Sequence, residues 1–175
     1  TVAETLLKVK LDTGVLTKEN VLDAEQALMC YREAAKSYRL HLVSHAHIDM
    51  DWRWGYEETV GIVIDTFQTM LKLLEEYPSF VYSQSQASVY EIVEQYAPEL
   101  LEPIRKYVHQ GQWEVLASTW VEADKNMSGT EAMARHILYT KQYLSRLLGI
   151  EPDSMQVDFE PDTFGHSRHV PEILQ

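Results

Sequence analysis

The sequence predicts an α/β fold built on a parallel sheet. From about residue 39 onward, short apolar runs of β character alternate with longer runs of helical periodicity, the pattern of strands joined by helical crossovers. Histidines, acids and tryptophans also collect just after the β-like runs, on the rim where α/β folds build their sites.

The first 17 residues carry few signals. LLKVKL is apolar enough for a short strand or a helix, and Gly14 breaks it. Thr17 reads as a helix N-cap, with Asn20 at the third position where a capping box carries Glu or Gln. The helix that follows is expected over about 18–37, with Leu22, Ala24, Leu28, Met29 and Tyr31 on its apolar side. Cys30 falls within this pattern and reads as a buried, inert thiol. Residues 1–38 are thus an N-terminal helical segment and 39–175 the α/β portion.

Strand one is expected over about 40–48. A helix at about 57–76 repeats Val60, Val63, Ile64, Phe67, Leu71 and Leu74 at helical spacing, and Pro78 ends it. Strand two is FVYSQSQ, 80–86. The next helical region starts near Val89, is interrupted at Pro98 and Pro103, and resumes to a cap at Gly111. Strand three is about 112–118, followed by the loop TWVEADKNM. Ser128 or Thr130 caps a helix that closes at Gly149. Strand four is expected at 154–160, and a last helix begins near Val170.

Net charge is −12, which argues against a nucleic-acid surface and an anionic membrane. No apolar run approaches the roughly 18 residues that span a bilayer. The chain holds one cysteine, so no internal disulfide forms, and no signal peptide is visible. Cytoplasm is the compartment expected from these features. Both ends look cut, which suggests a piece of a longer protein.

The richest stretch is HLVSHAHIDMDWRW, 41–54. Strand alternation puts His45, His47 and Asp49 on one face. Imidazole nitrogen and carboxylate oxygen are ligands that zinc accepts at catalytic sites. His47 and Asp49 form the first metal pair, and a third ligand must come from elsewhere. Asp162 in EPDTFGHS is the best candidate, although Asp after Pro161 is also an ordinary turn residue. His45 lies one pleat deeper, where a satisfied core histidine is the commoner outcome and a donor behind the ligands the alternative. Glu160, Glu122 and Asp124 read more readily as solvated loop charges than as catalytic acids. His166 and His169 read as a polar helix start rather than a metal pair. Trp52, Trp54, Trp120 and Phe164 lie near the rim, where an aromatic can stack on a sugar ring.

At these motifs the sequence resembles glycoside hydrolase family 38, the class II α-mannosidases. The resemblance covers roughly 39–175 and rests on VSHAHIDMDWRW, STWVEADKNMSG and FEPDTFGHSRHVPEIL, in that order. It implies part of a seven-stranded α/β barrel with a bound zinc ion, or another divalent metal in its place. Carried over, His47, Asp49 and Asp162 would be zinc ligands, Asp162 would also be the nucleophile, and Trp52 and Phe164 would line the sugar subsite. Hydrolysis of terminal α-D-mannosyl residues with retention, through a covalent glycosyl–enzyme intermediate, follows from the same resemblance. So does the expectation that a fourth, histidine ligand and the acid/base carboxylate lie beyond Gln175.

The 175 residues alone are therefore expected to be inactive, to bind zinc weakly if at all, and to associate or require the remaining chain of the parent enzyme. The partners expected are a mannose-containing oligosaccharide, that remaining chain, and a second copy as a homo-oligomer. Two other functions stand as alternatives. One is a metal-dependent deacetylase or amidohydrolase that activates water on the ion; the other is a non-catalytic sugar-binding module.

Overall fold

A computed structural model describes residues 1–116 and 118–174. Residue 117, inside the expected third strand, and residue 175, at the end of the expected last helix, lie outside the described residues. The chain divides into two compact units, Thr1–Leu42 and the remainder from Val43.

The first unit is helical. Helix α1, Val2–Thr13, opens on a capping box between Thr1 and Glu4 and ends at Gly14, whose φ of +75° is the left-handed conformation glycine adopts freely. LLKVKL is therefore helix, not strand. Helix α2, Lys18–Leu28, is capped by Thr17 with Asn20 reaching back. A 3₁₀ turn, Met29–Tyr31, leads into α3, Arg32–Lys36. None of these helices buries a residue. Cys30 is exposed, against the expectation of a buried thiol. The apolar stripe it was read with is exposed as well, Leu22, Leu28 and Met29 included, so this position has no core to enter.

The second unit holds a three-stranded parallel sheet, ordered β1 (Ser44–His45), β2 (Tyr82–Gln84) and β3 (Trp113–Val115). Ser44 stands opposite Tyr82, and Tyr82 opposite Trp113. Helix α4 (Tyr56–Glu76) crosses from β1 to β2, and α5 (Ala87–Tyr96) with α6 (Leu101–His109) crosses from β2 to β3; α7 (Thr130–Leu148) and α8 (Val170–Ile173) follow. Val63 and Phe67 of α4, Tyr90 and Val93 of α5, Ile104 of α6 and Leu144 of α7 meet Tyr82 and Trp113 in one buried core. Within it Phe67 meets Tyr90 edge-on and Trp113 at a tilt, Tyr82 meets Trp113 edge-on, and Trp113 Nε1–H donates to the Tyr90 hydroxyl at 3.0 Å. The indole thus pays no penalty for an unpaired donor. No helix among the described residues is long and apolar enough to cross a membrane.

The strands are shorter than the sequence suggests. Register explains β1: because Ser44 faces Tyr82, a longer β1 would run beside residues 78–81, the turn that closes α4 around Pro78. Pro103 does not interrupt α6. It occupies the helix's third position, where a backbone N–H has no intrahelical partner to lose. Gly129, rather than Ser128 or Thr130, is the N-cap of α7.

The expected fourth strand is absent among the described residues. Pro152–Ser154 form a 3₁₀ turn, and 155–160 run extended without ladder bonds. A cavity of about 440 Å³, lined by Val115, Leu116, Gln156 and Val157 among others, lies between this run and β3. Side chains rather than backbone ladders anchor it, as described below.

Candidate active site

The site forms where the three strands end. Ile48 is buried, and its carbonyl accepts from Gln86 Nε2 at 2.9 Å. With Ile48 turned into the core, alternation sends its neighbours His47 and Asp49 outward. The next turn is locked by Thr59. Its hydroxyl accepts from Trp54 Nε1 at 3.0 Å and lies 2.8 Å from the Met50 carbonyl.

Asp162 approaches from a distant part of the sequence. His47 Nε2 stands 3.3 Å from Asp49 Oδ1 and 3.8 Å from Asp162 Oδ2. One ligand atom from each of the three residues falls within 4.8 Å of the others. His47 and Asp162 are exposed and Asp49 is half-buried, so the cluster opens to solvent.

A buried lysine anchors the segment that delivers Asp162. Lys125 is fully buried, and its Nζ lies 2.5 Å from Asp158 Oδ1 and 2.8 Å from Glu160 Oε1. Ser118 Oγ donates to Asp158 at 2.5 Å. The Glu160 side chain is only 2% exposed, which corrects its reading as a solvated loop charge. Burial pushes its carboxyl up, while Lys125 pulls it down. Asp124 is also committed: its Oδ1 accepts the Phe164 N–H at 2.7 Å, and Thr163 Oγ1 donates to the Ala123 carbonyl at 3.1 Å. Gly165 completes the turn at φ +137°, with Asn126 3.1 Å from where a Cβ would stand.

Behind His47 runs a chain of polar contacts. Glu122 Oε2 lies 2.8 Å from His47 Nδ1, and the Glu122 side chain is 8% exposed. Its other oxygen accepts from Ser85 Oγ at 2.7 Å. Ser85 Oγ is in turn 2.9 Å from His45 Nε2. Burial raises the Glu122 carboxyl, opposed by the Ser85 bond and His47. Burial lowers His45, reinforced by His47. Glu122 too is therefore no solvated charge. Gln86 braces the same loop, accepting the Glu122 N–H at 3.2 Å on Oε1. Gln86 has φ +64°, a conformation rare outside glycine. The N-terminus of α5 adds two more ties, Ala87 and Ser88 N–H to the carbonyls of Thr119 and Trp120.

The aromatics divide. Trp52 is 61% and Phe164 79% exposed; Trp52 meets Trp54 edge-on at 5.5 Å, with the Arg53 guanidinium 4.6 Å over its ring. Trp54 is half-buried on Thr59, and Trp120 packs against Tyr143 and the core. His166 and His169 are exposed and outside the cluster. His166 instead bridges Lys125 through its backbone.

The model of the glycosyl hydrolases family 38 N-terminal domain matches residues 37–175. The chain belongs to glycosyl hydrolase family 38. It is 31% identical to alpha-mannosidase G of Dictyostelium discoideum over 171 residues, which is 92% of this chain and 16% of that protein. It is 35% identical to human alpha-mannosidase 2C1 over 138 residues, 78% of this chain and 13% of the relative. Among solved structures it resembles an alpha-mannosidase from Enterococcus faecalis V583, with a TM-score of 0.67 and 27% identity, covering 76% of this chain and 15% of that one. The chain thus spans about one-sixth or less of the length of these relatives.

The donor set of this family 38 chain fits a zinc ion. Donors about 2.0–2.2 Å from a tetrahedral ion stand roughly 3.2–3.6 Å from one another, close to the 3.3 and 3.8 Å found around His47 Nε2. A cation bound at that point would be attracted by both carboxylates. One histidine and two carboxylates leave a position open, as catalytic zinc sites do. The residues that sequence reasoning missed stand behind the cluster: Ser85, Gln86 and Lys125. Nothing in their types or local spacing marked them, since the acids that Lys125 meets lie more than thirty residues away in sequence.

Proposed function

We propose that this chain forms part of the active site of a retaining, zinc-dependent α-mannosidase that removes terminal α-D-mannosyl residues from oligosaccharides. The observation that carries the proposal is the convergence of His47, Asp49 and Asp162, across more than a hundred residues of sequence, on one open point, in a chain of this family. Its three parallel strands would be part of the family's seven-stranded barrel. The single cysteine, exposed, suits a reducing compartment such as the cytoplasm.

In this proposal His47, Asp49 and Asp162 hold the ion. An ion held there would supply Lewis-acid binding to hydroxyls of the mannose ring. Trp52 and Phe164, exposed as they are, offer apolar faces to the sugar's C–H groups. Asp162 carries out the displacement: a carboxylate oxygen bonds the anomeric carbon as the glycosidic C–O bond breaks, and the leaving oxygen takes a proton from a carboxylic acid. Retaining enzymes keep those two carboxyl groups about 5–5.5 Å apart. The family resemblance puts the acid outside residues 1–175. Water then releases the sugar from Asp162, with that acid acting as base.

The test uses the full-length protein that carries this chain. A slow fluorinated mannosyl substrate should leave a mannosyl adduct on the peptide containing Asp162, read by mass spectrometry. Asp162→Asn should lose the adduct and reduce turnover by roughly 10⁴-fold or more, with sugar binding retained. Turnover without any adduct, together with an active Asp162→Asn, would move the chemistry to activated water and away from this proposal.

A further inference from the structure

We propose that Glu122 is the positioning residue of this site: it holds the His47 ring so that Nδ1–H faces inward and the Nε2 lone pair faces the metal point. The inference rests on the metal reading of His47 given above.

The geometry carries it. The two ring nitrogens of His47 have different surroundings. Nδ1 lies 2.8 Å from Glu122 Oε2, a buried oxygen that no aligned hydrogen bond satisfies among the described residues, so the contact is a close approach of opposite charge that a small turn of the ring would align. Nε2 meets Asp49 and Asp162 at the open cluster. A carboxylate only accepts, so the proton between Nδ1 and Glu122 belongs to the ring. A second carboxylate contact on the far nitrogen fixes which tautomer a ligating histidine presents.

Glu122 can do this because it is itself held. Ser85 Oγ donates to Oε1 at 2.7 Å. A serine hydroxyl that donates to a carboxylate is left to accept, so the His45 Nε2 contact at 2.9 Å runs from His45 to Ser85. Gln86 fixes the backbone of the same residue, accepting the Glu122 N–H and donating to the Ile48 carbonyl. One carboxamide thus ties the residue after His47 to Glu122, and sets the distance that the side chains bridge. Its unusual backbone fits a device retained for placement at a site. His45 faces this chain rather than the cluster, which gives it a place in the support of Glu122.

Two conservative substitutions separate placement from charge. Glu122→Gln removes the charge but keeps an oxygen at the same reach, able to accept from His47 Nδ1–H. Glu122→Asp keeps the charge but withdraws it by one methylene. Zinc affinity is measured in the full-length protein by chelator competition, with zinc alone as the probe. Glu122→Asp should weaken zinc binding by about 10-fold or more, the usual scale for residues behind metal ligands, and Glu122→Gln should weaken it less. An Asp variant that binds as tightly as the unsubstituted protein, or more tightly than the Gln variant, overturns the inference and leaves the metal reading intact. Absence of zinc binding by the unsubstituted protein overturns both.

Discussion

Gln86 shows how one side chain sets the spacing of the site. Its carboxamide is both a donor to the Ile48 carbonyl and an acceptor from the Glu122 N–H. Few other side chains serve both roles from one position: Glu lacks the donor, and Met lacks both. The residue is 3% exposed, so water is poorly placed to replace the lost partners. Gln86→Met should cost roughly 1–3 kcal/mol of local stability. Hydrogen exchange read by mass spectrometry should speed up in peptides spanning 46–50 and 120–124, by about 5- to 150-fold. Exchange unchanged in both peptides would mean that the carboxamide is not the tie between them. Gln86→Glu should behave no better, since a carboxylate would face the Ile48 carbonyl without a proton to offer.

At the scale of elements, the segment 155–166 behaves as a strand in sequence but not in structure. Its alternation is real: Asp158 and Glu160 face Lys125, while Phe159 turns the other way onto the His45 ring at 4.8 Å. Period-2 patterning was therefore legible, and the apolar-versus-polar faces followed. What the pattern could not reveal is that ion pairs and the Ser118 bond, rather than a ladder with β3, would satisfy this segment. The same limit applies to β1, where the run 40–48 reads as one strand but pairing with β2 is confined to Ser44–His45. The helices fared better, because α4 and α7 are long and strictly periodic. In the site, His47, Asp49 and Asp162 were legible from ligand chemistry and motif, whereas Glu122, Gln86 and Lys125 act through tertiary contacts that no local pattern encodes. Lys125 offers the sharpest check of the anchoring. Removing one partner of a buried ion pair leaves the other charge uncompensated and costs about 3–5 kcal/mol. Lys125→Met should thus open 155–166 to proteolysis, and adding Glu160→Gln should restore part of the resistance. Equal cleavage rates for the single variant and the unsubstituted chain would show the segment to be held by something else.

At the scale of the whole molecule, the sheet has two open edges among the described residues. β2 is paired on both sides, but β1 and β3 each have one neighbour. Parallel sheets are normally buried, with their edges continued or covered. Apolar side chains remain exposed around this one: Val81 and Val157 are each 46% exposed, and both line the cavity beside β3. The partial-barrel proposal reads these edges as places where further strands would join. Two forces then compete in the 175-residue chain on its own. Apolar surface and unpaired backbone favour association, while a net charge of −12 opposes it. Salt shifts the balance, because the screening length falls from about 10 Å at 0.1 M to about 3 Å at 1 M. Sedimentation of the isolated chain should accordingly show self-association that grows with salt, and the monomer should bind an apolar dye. An isolated chain that stays monomeric and dye-free at high salt would count against the open sheet as part of a barrel. Association that weakens with salt would assign it to ion pairs between copies, leaving the sheet edges without a role in it.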